Sequence, residues 1–313
     1  MAFDVSTIST WDDEISGGLL KEWMLSNDTI KGGLVELKYR LIGASSKLNN
    51  VKITSNAVLA QCATIANTGS TALAQTEMEH TGIEFPQFYC NQTLTNYWTD
   101  WDGAKSYNDE KFSFQEYILG AKLESDLEAY DKMIWQGDNG SNKYAAVTGN
   151  LTKMRGFFGT LWAYSASCAS VKSKTAITSS NALVVVNSIK ASIPEVAIND
   201  CSLYLSPINF ETVAGAIAVE YKYNQNLMNL DSVTEIKVPN TIGLKAVKVN
   251  GMSGIADGSA IATPKKNLVL GISDTSDLGL TVWYEKKDRG VWANLRLKTG
   301  TGVYFPELAV LVK

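Results

Sequence analysis

The sequence predicts an α+β fold, and three observations carry that reading. One long helical signal spans residues 113–137. Extended, alternating segments dominate residues 34–90 and again residues 235–312. A helix, strand, helix order lies between them, over residues 178–221. Apolar periods of 3.6 and of 2 thus occupy separate stretches of the chain.

Residues 1–33 read as an arm. Trp11, Asp12, Asp13 and Glu14 precede Leu19, Leu20, Trp23, Met24 and Leu25, an amphipathic pattern that follows Gly17-Gly18 and closes at Gly32-Gly33. Large apolar side chains on so short a segment need another part of the fold or another subunit to bury them. Trp11, Leu20, Trp23 and Met24 are therefore candidate interface residues, with packing on the chain's own domain as the alternative. From residue 34 the texture is β. Val51-Lys52-Ile53-Thr54 alternates, residues 57–65 mix apolar and small polar side chains, and Asn67-Thr68-Gly69-Ser70 is turn chemistry. A second extended stretch runs from Ala74 through Glu77, Met78, Glu79 and His80 to Phe88. Together these predict a long two-stranded hairpin. Two strands offer little surface for a core, so the hairpin implies a partner surface. Val51, Ile53, Met78, Glu79 and His80 join the candidate contacts.

Residues 93–101 read as a short aromatic helix or turn leading to the long helix. There Ser113 and Glu116 have the spacing of a capping box, and Gly137 supplies the stop. Gly120, Leu123, Leu127, Tyr130 and Ile134 fall on one face and are expected to pack; Lys122, Ser125, Glu128 and Lys132 share another and are expected to meet water. At 1.5 Å per residue the rod is about 35 Å long. A loop follows over residues 138–144, and Gly149, Gly156 and Gly159 punctuate the next apolar segment. Ser179-Ser180-Asn181 is expected to cap a helix carrying Ala182, Val186, Ile189 and Ile193, closed by Pro194. Residues 201–205 form a short buried strand. Ser206-Pro207 opens a helix with Phe210, Val213, Ile217 and Tyr221 on its apolar face. Strands are predicted over 235–238, 244–249, 267–272, 280–286, 291–297 and 308–312, with Asn250-Gly251 as a turn.

The chemistry-bearing residues are few. A formal charge of −4 gives no general electrostatic reason to bind nucleic acid. Cys62, Cys90, Cys168 and Cys201 are far apart and read as reduced thiols. No run approaches the ~18 apolar residues of a membrane span, and residues 1–14 lack a secretory pattern, so a chain made in a cytoplasm and independent of membranes is expected. His80 is the only histidine, which removes His-His metal sites and triads with a remote histidine. Gly300-Thr301-Gly302 is expected to be a turn or bulge. Asp100 with Asp102, and Asp138 with Asn139 and Asn142, read as solvated turns, not calcium loops. Lys265-Lys266 and Lys286-Lys287 read as solvated faces. Trp135, Trp283 and Trp292 read as core. Asp274 and Asp277 are the one pair of acids on which a carboxylate-based hydrolase, the enzymatic alternative, would rest. No catalytic residue, cofactor or metal is expected.

The order of parts narrows this further. An arm, a long hairpin, an aromatic segment, a long helix ending in Ile134-Trp135-Gln136-Gly137-Asp138, an α/β unit and a return to β, with the runs ATPKKNLVLGISDTSD at 262–277 and VYFPELAVLV at 303–312, resemble the major capsid proteins of tailed bacteriophages, the Hong Kong ninety-seven type of shell fold. The likeness is strongest to short-chain capsid proteins of phages infecting Bacteroides-like hosts. It implies an N-terminal arm (1–33), an extended loop and connector (34–105), a peripheral domain with a spine helix (106–179), an axial domain (180–272) and return strands of the peripheral domain (273–313). It implies a structural subunit, not an enzyme, assembling with itself into hexamers and pentamers of an icosahedral or prolate shell. That shell would enclose double-stranded DNA through weak, non-specific contact. The implied partners are a portal protein and a separate scaffold, or none, with decoration proteins. The implied location is the virion, after synthesis in the host bacterial cytoplasm. An encapsulin-like cargo compartment is the alternative use of the same shell. No cross-linking pair is carried over.

Overall fold

The computed structural model describes residues 26–39, 41, 43–54, 70–90, 114–220, 233–239, 243–255, 257–272, 279–285, 287 and 290–313. Helix α1 (Asp28–Lys31) leads into β1 (Glu36–Tyr39), β2 (Ser45–Thr54), β3 (Ser70–Glu79) and β4 (Thr81–Cys90). The spine helix α2 (Phe114–Gln136) and α3 (Phe157–Ala163) follow, then β5 (Ser170–Lys172), α4 (Ala182–Lys190), β6 (Cys201–Leu205), α5 (Pro207–Glu220), β7 (Glu235–Lys237) and β8 (Lys245–Lys248). The chain closes with β9 (Ala260–Pro264), β10 (Leu268–Ile272), β11 (Gly279–Glu285), β12 (Gly290–Val303) and β13 (Val310–Val312).

The helix expected over 113–137 is present, but its surroundings change along its length. Near its C-terminal end Tyr130, Asp131, Met133, Ile134, Trp135 and Gln136 are all buried, because that end is inserted where both large sheets meet. Over residues 120–129 only one side is covered, and Gly120, expected to pack, is exposed. Lys122, expected to meet water, is buried: its Nζ pairs with Asp126 one turn on and donates to the Phe85 carbonyl at 2.8 Å. A buried ammonium is tolerated only with such partners. The Ser113–Glu116 capping box lies outside the described residues.

Strand β12 is the keel of a five-stranded sheet. Its residues 290–296 pair antiparallel with both β11 and β4, which therefore lie on opposite edges, and its last residues pair with β10, which in turn carries β1. Leu295 and Leu297 with Ile83 and Phe85 form the face turned to the spine helix. A six-stranded sheet runs β5-β13-β9-β6-β8-β7. Here alternation sorts side chains into two cores: Leu203, Leu205, Ala260, Ala262, Val310 and Val312 meet α4 and α5, whereas Tyr204, Ile261 and Leu311 point to α2 and α3. Both faces of this sheet are covered by helices.

Several expectations are corrected. The extended stretch 74–88 is not one hairpin strand: β2 and β3 form a ten-residue ladder, but the chain changes sheet at His80 and β4 pairs with β12. The sheets do not follow chain order. Strand β10 belongs with β12, and β13 lies between β5 and β9 in the six-stranded sheet, because parallel and antiparallel partners there bury Val310–Val312 on both sides. Asn181 does not cap α4 through its side chain; its Oδ1 accepts from the Thr178 N–H at 2.7 Å instead. Ser206 does cap α5, accepting from Asn209 N–H at 3.4 Å, with Pro207 at the first helical position. The turn expected at Gly300-Thr301-Gly302 is continuous strand within β12.

Candidate assembly surfaces

The hairpin β2–β3 rests on the five-stranded sheet by close approach. Along the ladder Leu48, Asn50, Thr76 and Met78 face inward, and Lys47, Asn49, Val51, Gln75 and Glu77 face outward. Met78 has no exposed surface and packs with Leu41, Leu48 and Val269. Beneath it three positions have no side chain. A Cβ on Gly300 would stand 2.2 Å from the Glu79 carbonyl oxygen, one on Gly302 2.7 Å from Leu48, and one on Gly271 2.8 Å from Met78. Gly271 and Gly300 are cross-strand partners, so the floor is flat across two strands. Thr76 Oγ1 donates to the Val303 carbonyl at 2.6 Å, and the Tyr164 hydroxyl accepts from the Glu77 N–H at 2.9 Å. Glu79 and Arg155 approach to 3.6 Å at the surface, a pairing of small energetic weight.

Helix α1 is held differently. Asn27 Oδ1 accepts from the N–H groups of Thr29 and Ile30 and so caps α1. Thr29 Oγ1 donates to Asp131 Oδ1 at 2.6 Å and accepts from Trp135 Nε1 at 2.7 Å, both on the spine helix. Trp135 lies 5.1 Å from the rings of Phe157 and Tyr204, and the Tyr204 hydroxyl donates to the Leu34 carbonyl at 2.9 Å. Gln136 donates to the carbonyls of Gly251 and Ser253. Burial, more than any other influence, holds the Asp131 carboxyl above its usual range; the Thr29 bond opposes this and the nearby Asp28 charge adds to it. The run Ile134–Asp138 is thus a junction. A Cβ on Gly137 would meet the carbonyls of Met133 and Met154 at 2.6 and 2.7 Å, and Asp138, expected in a solvated turn, is buried and accepts from the N–H groups of Gly140 and Tyr144.

Two further surfaces are exposed. On the outer face of β4–β12–β11, Phe88, Trp292 and Trp283 stand side by side, with ring centroids 5.1 and 6.0 Å apart. Trp283, expected in the core, is 39% exposed on this face. Next to this row Arg296 Nε donates to Glu84 at 2.7 Å and Asn294 donates at 3.3 Å, and these bonds hold the Glu84 carboxyl below its usual range. On the α/β unit an open groove of about 540 Å³ lies between α4 and α5, lined by Ser179, Leu183, Glu211 and Gly215, with Val219 exposed beside it.

Of the expected contact residues, Val51 is 52% exposed, Glu79 is exposed and His80 is half-buried at the hairpin root. Met78 is fully buried within the chain. Trp11, Leu20, Trp23 and Met24, the Ile53 side chain, residues 57–69 and 93–101, Tyr221, Cys62, Asp100, Asp102, Asp274 and Asp277 lie outside the described residues. The row of Phe88, Trp292 and Trp283 was not legible, since only the strand register brings together residues some 200 positions apart. Among the described residues no three of His, Cys, Asp or Glu are placed to hold a metal ion, and no helix is long and apolar enough to cross a membrane. Burial pushes the Cys168 and Cys201 thiols up to about 11 and about 12, away from reactive thiolate.

Neither a protein-family model nor a curated protein sequence matches the chain. Solved structures do. The satellite phage P4 procapsid that includes the size determination protein shares 14% identity over 95% of this chain and 98% of that one, with a TM-score of 0.56. The capsid of the native GTA particle gives 13% identity, 92% and 90% coverage and a TM-score of 0.53. The capsid of the Myoviridae phage XM1 gives 10%, 91%, 90% and 0.52. The chain therefore has the mixed helix-and-sheet fold of Hong Kong ninety-seven-like capsids.

Proposed function

We propose that this chain is a major capsid protein, a non-enzymatic subunit that assembles with itself into the hexamers and pentamers of a phage shell around double-stranded DNA. The observation that carries this reading is the end-to-end likeness to a procapsid chain, which leaves little of either chain unmatched. The anatomy is consistent with it. A two-stranded hairpin on which Lys47, Asn49, Val51, Gln75 and Glu77 are exposed offers a surface to neighbours. Many modest contacts repeated around a closed shell supply stability through multivalency. Portal, scaffold and decoration proteins are the partners this role calls for, the virion is its location, and the affinity to Bacteroides-type phages rests on the sequence runs at 134–138, 262–277 and 303–312.

Electron microscopy of the purified protein, alone and with co-expressed neighbouring gene products, tests the reading. Capsomers or closed shells are the expected particles. A compact monomer under every assembly condition overturns it. Nuclease-protected DNA inside particles from infected cells separates a virion shell from a cargo compartment.

A further inference from the structure

His80 stands where the chain leaves the hairpin and enters the five-stranded sheet. Its backbone N–H donates to the Ala44 carbonyl at 2.8 Å, one step beyond the Ser45–Glu79 rung. Its ring reaches back across the same joint, with Nδ1 3.2 Å from the Gly43 carbonyl oxygen. A carbonyl only accepts, so in the neutral ring Nδ1 carries the proton and Nε2 keeps a lone pair. Nε2 is buried and has no hydrogen-bond partner among the described residues. The floor below is Gly300, where a Cβ would stand 3.4 Å from the ring carbon Cδ2.

The charged surroundings oppose an imidazolium. Lys38 on β1 and Lys298 on β12 both repel it. Glu79, the preceding residue, has its carboxylate 3.6 Å from Arg155 on the approach to α3. Burial is the largest influence and lowers the affinity of His80 for a second proton; the bond to Gly43 favours the charged ring, and the two lysines again disfavour it. A second proton would place an N–H on Nε2 with no acceptor among the described residues. Turning the ring toward water to find one breaks the Nδ1 bond to the Gly43 carbonyl at the hairpin root.

We propose that His80 makes the hairpin root a pH-sensitive joint: the neutral ring holds the hairpin on its glycine floor, and a second proton loosens that attachment while both hydrophobic cores stay intact. The sign follows from linkage. A group that binds its proton less tightly in the closed joint than in the open one stabilises the closed joint above the open-state pKa, and that stabilisation is lost as pH falls through the closed-state value. The joint belongs to the single chain and operates whether or not the chain builds a shell.

Hydrogen exchange of the full chain, read by mass spectrometry at about pH 7.5 and about pH 5 and corrected for the intrinsic rate, tests this across the range where histidine titrates. Peptides covering residues 43–50 and 74–82 are expected to exchange several-fold faster at the lower pH, with the spine-helix peptide 128–136 unchanged. His80→Gln should abolish the difference. Equal protection of the root at both pH values overturns the proposal, as does acid loosening that persists in His80→Gln. Should that variant fail to fold, exchange of the His80 ring Cε1–H in the unmodified protein decides: a midpoint below about 6.5 is expected, and one at or above it overturns the proposal.

Discussion

Helix α1 and the hairpin root are attached to the same body by opposite means. At α1 a threonine, an aspartate and a tryptophan exchange hydrogen bonds in a buried site, and each group is costly to leave without its partner. At the hairpin root the attachment is mostly shape. Met78 fills a space that exists because Gly271, Gly300 and Gly302 carry no side chain. A polar anchor has one geometry, whereas an apolar side chain on a smooth floor tolerates small displacements.

The largest effect is expected at the spine-helix junction. Trp135→Ala should cost about 3–5 kcal/mol in denaturant unfolding, since it removes a fully buried ring packed against Phe157 and Tyr204 as well as the Thr29 bond. Gly300→Val separates the two attachments. Its Cβ cannot coexist with the Glu79 carbonyl, so about 1–3 kcal/mol of overpacking is expected. In hydrogen exchange the loss of protection should be confined to β2–β3, with α1 unaffected. Thr29→Val is the converse. It leaves Asp131 and the Trp135 N–H without their partner, at about 1–3 kcal/mol, and should raise exchange in α1 while the hairpin stays protected. If either variant loosens both equally, the two attachments are not independent.

The pH dependence is a smaller and slower effect. Because Asp131 is held above its usual range, the folded chain binds that proton more tightly than the unfolded one. The stability this confers is complete below the unfolded value of about 4 and is lost as pH rises through the folded value. Thermal midpoints of the parent should therefore fall relative to Asp131→Asn as pH rises from about 4 toward neutrality. Smallest of all is Arg296→Ala. Its pairing with Glu84 is on the solvent side of the sheet, and no measurable change in the thermal midpoint is expected.

Local signals were legible and distant ones were not. The spine helix, the Ser206-Pro207 start of α5 and the β2–β3 ladder follow from spacing within a few residues of themselves. The change of sheet at His80 could not be read, because residues before and after it are equally extended and the partners that divide them lie at 45 and 299. Glycines misled for a related reason. Gly300 and Gly302 resemble turn chemistry in sequence, yet they are small because another strand lies on them. Lys122 and Asp138 carry charges that patterning assigns to solvent, and each is buried against partners that only the fold supplies. Of the hairpin residues singled out in the sequence, Val51 and Glu79 are exposed and Met78 is buried.

The placement of β13 sets an order of events in time. The six-stranded sheet has β6 at its middle, but the strand that joins β9 to β5 comes from residues 310–312, more than a hundred positions after β6. A nascent chain that has released α4, β6 and α5 therefore still has two open strand edges, at Ala260–Pro264 once that segment appears and at Ser170–Lys172. Pairings over such separations form late. Until Val310–Val312 arrives, those edges are templates for the wrong strand, and a chain truncated before Val310 should aggregate instead of folding to a smaller stable product.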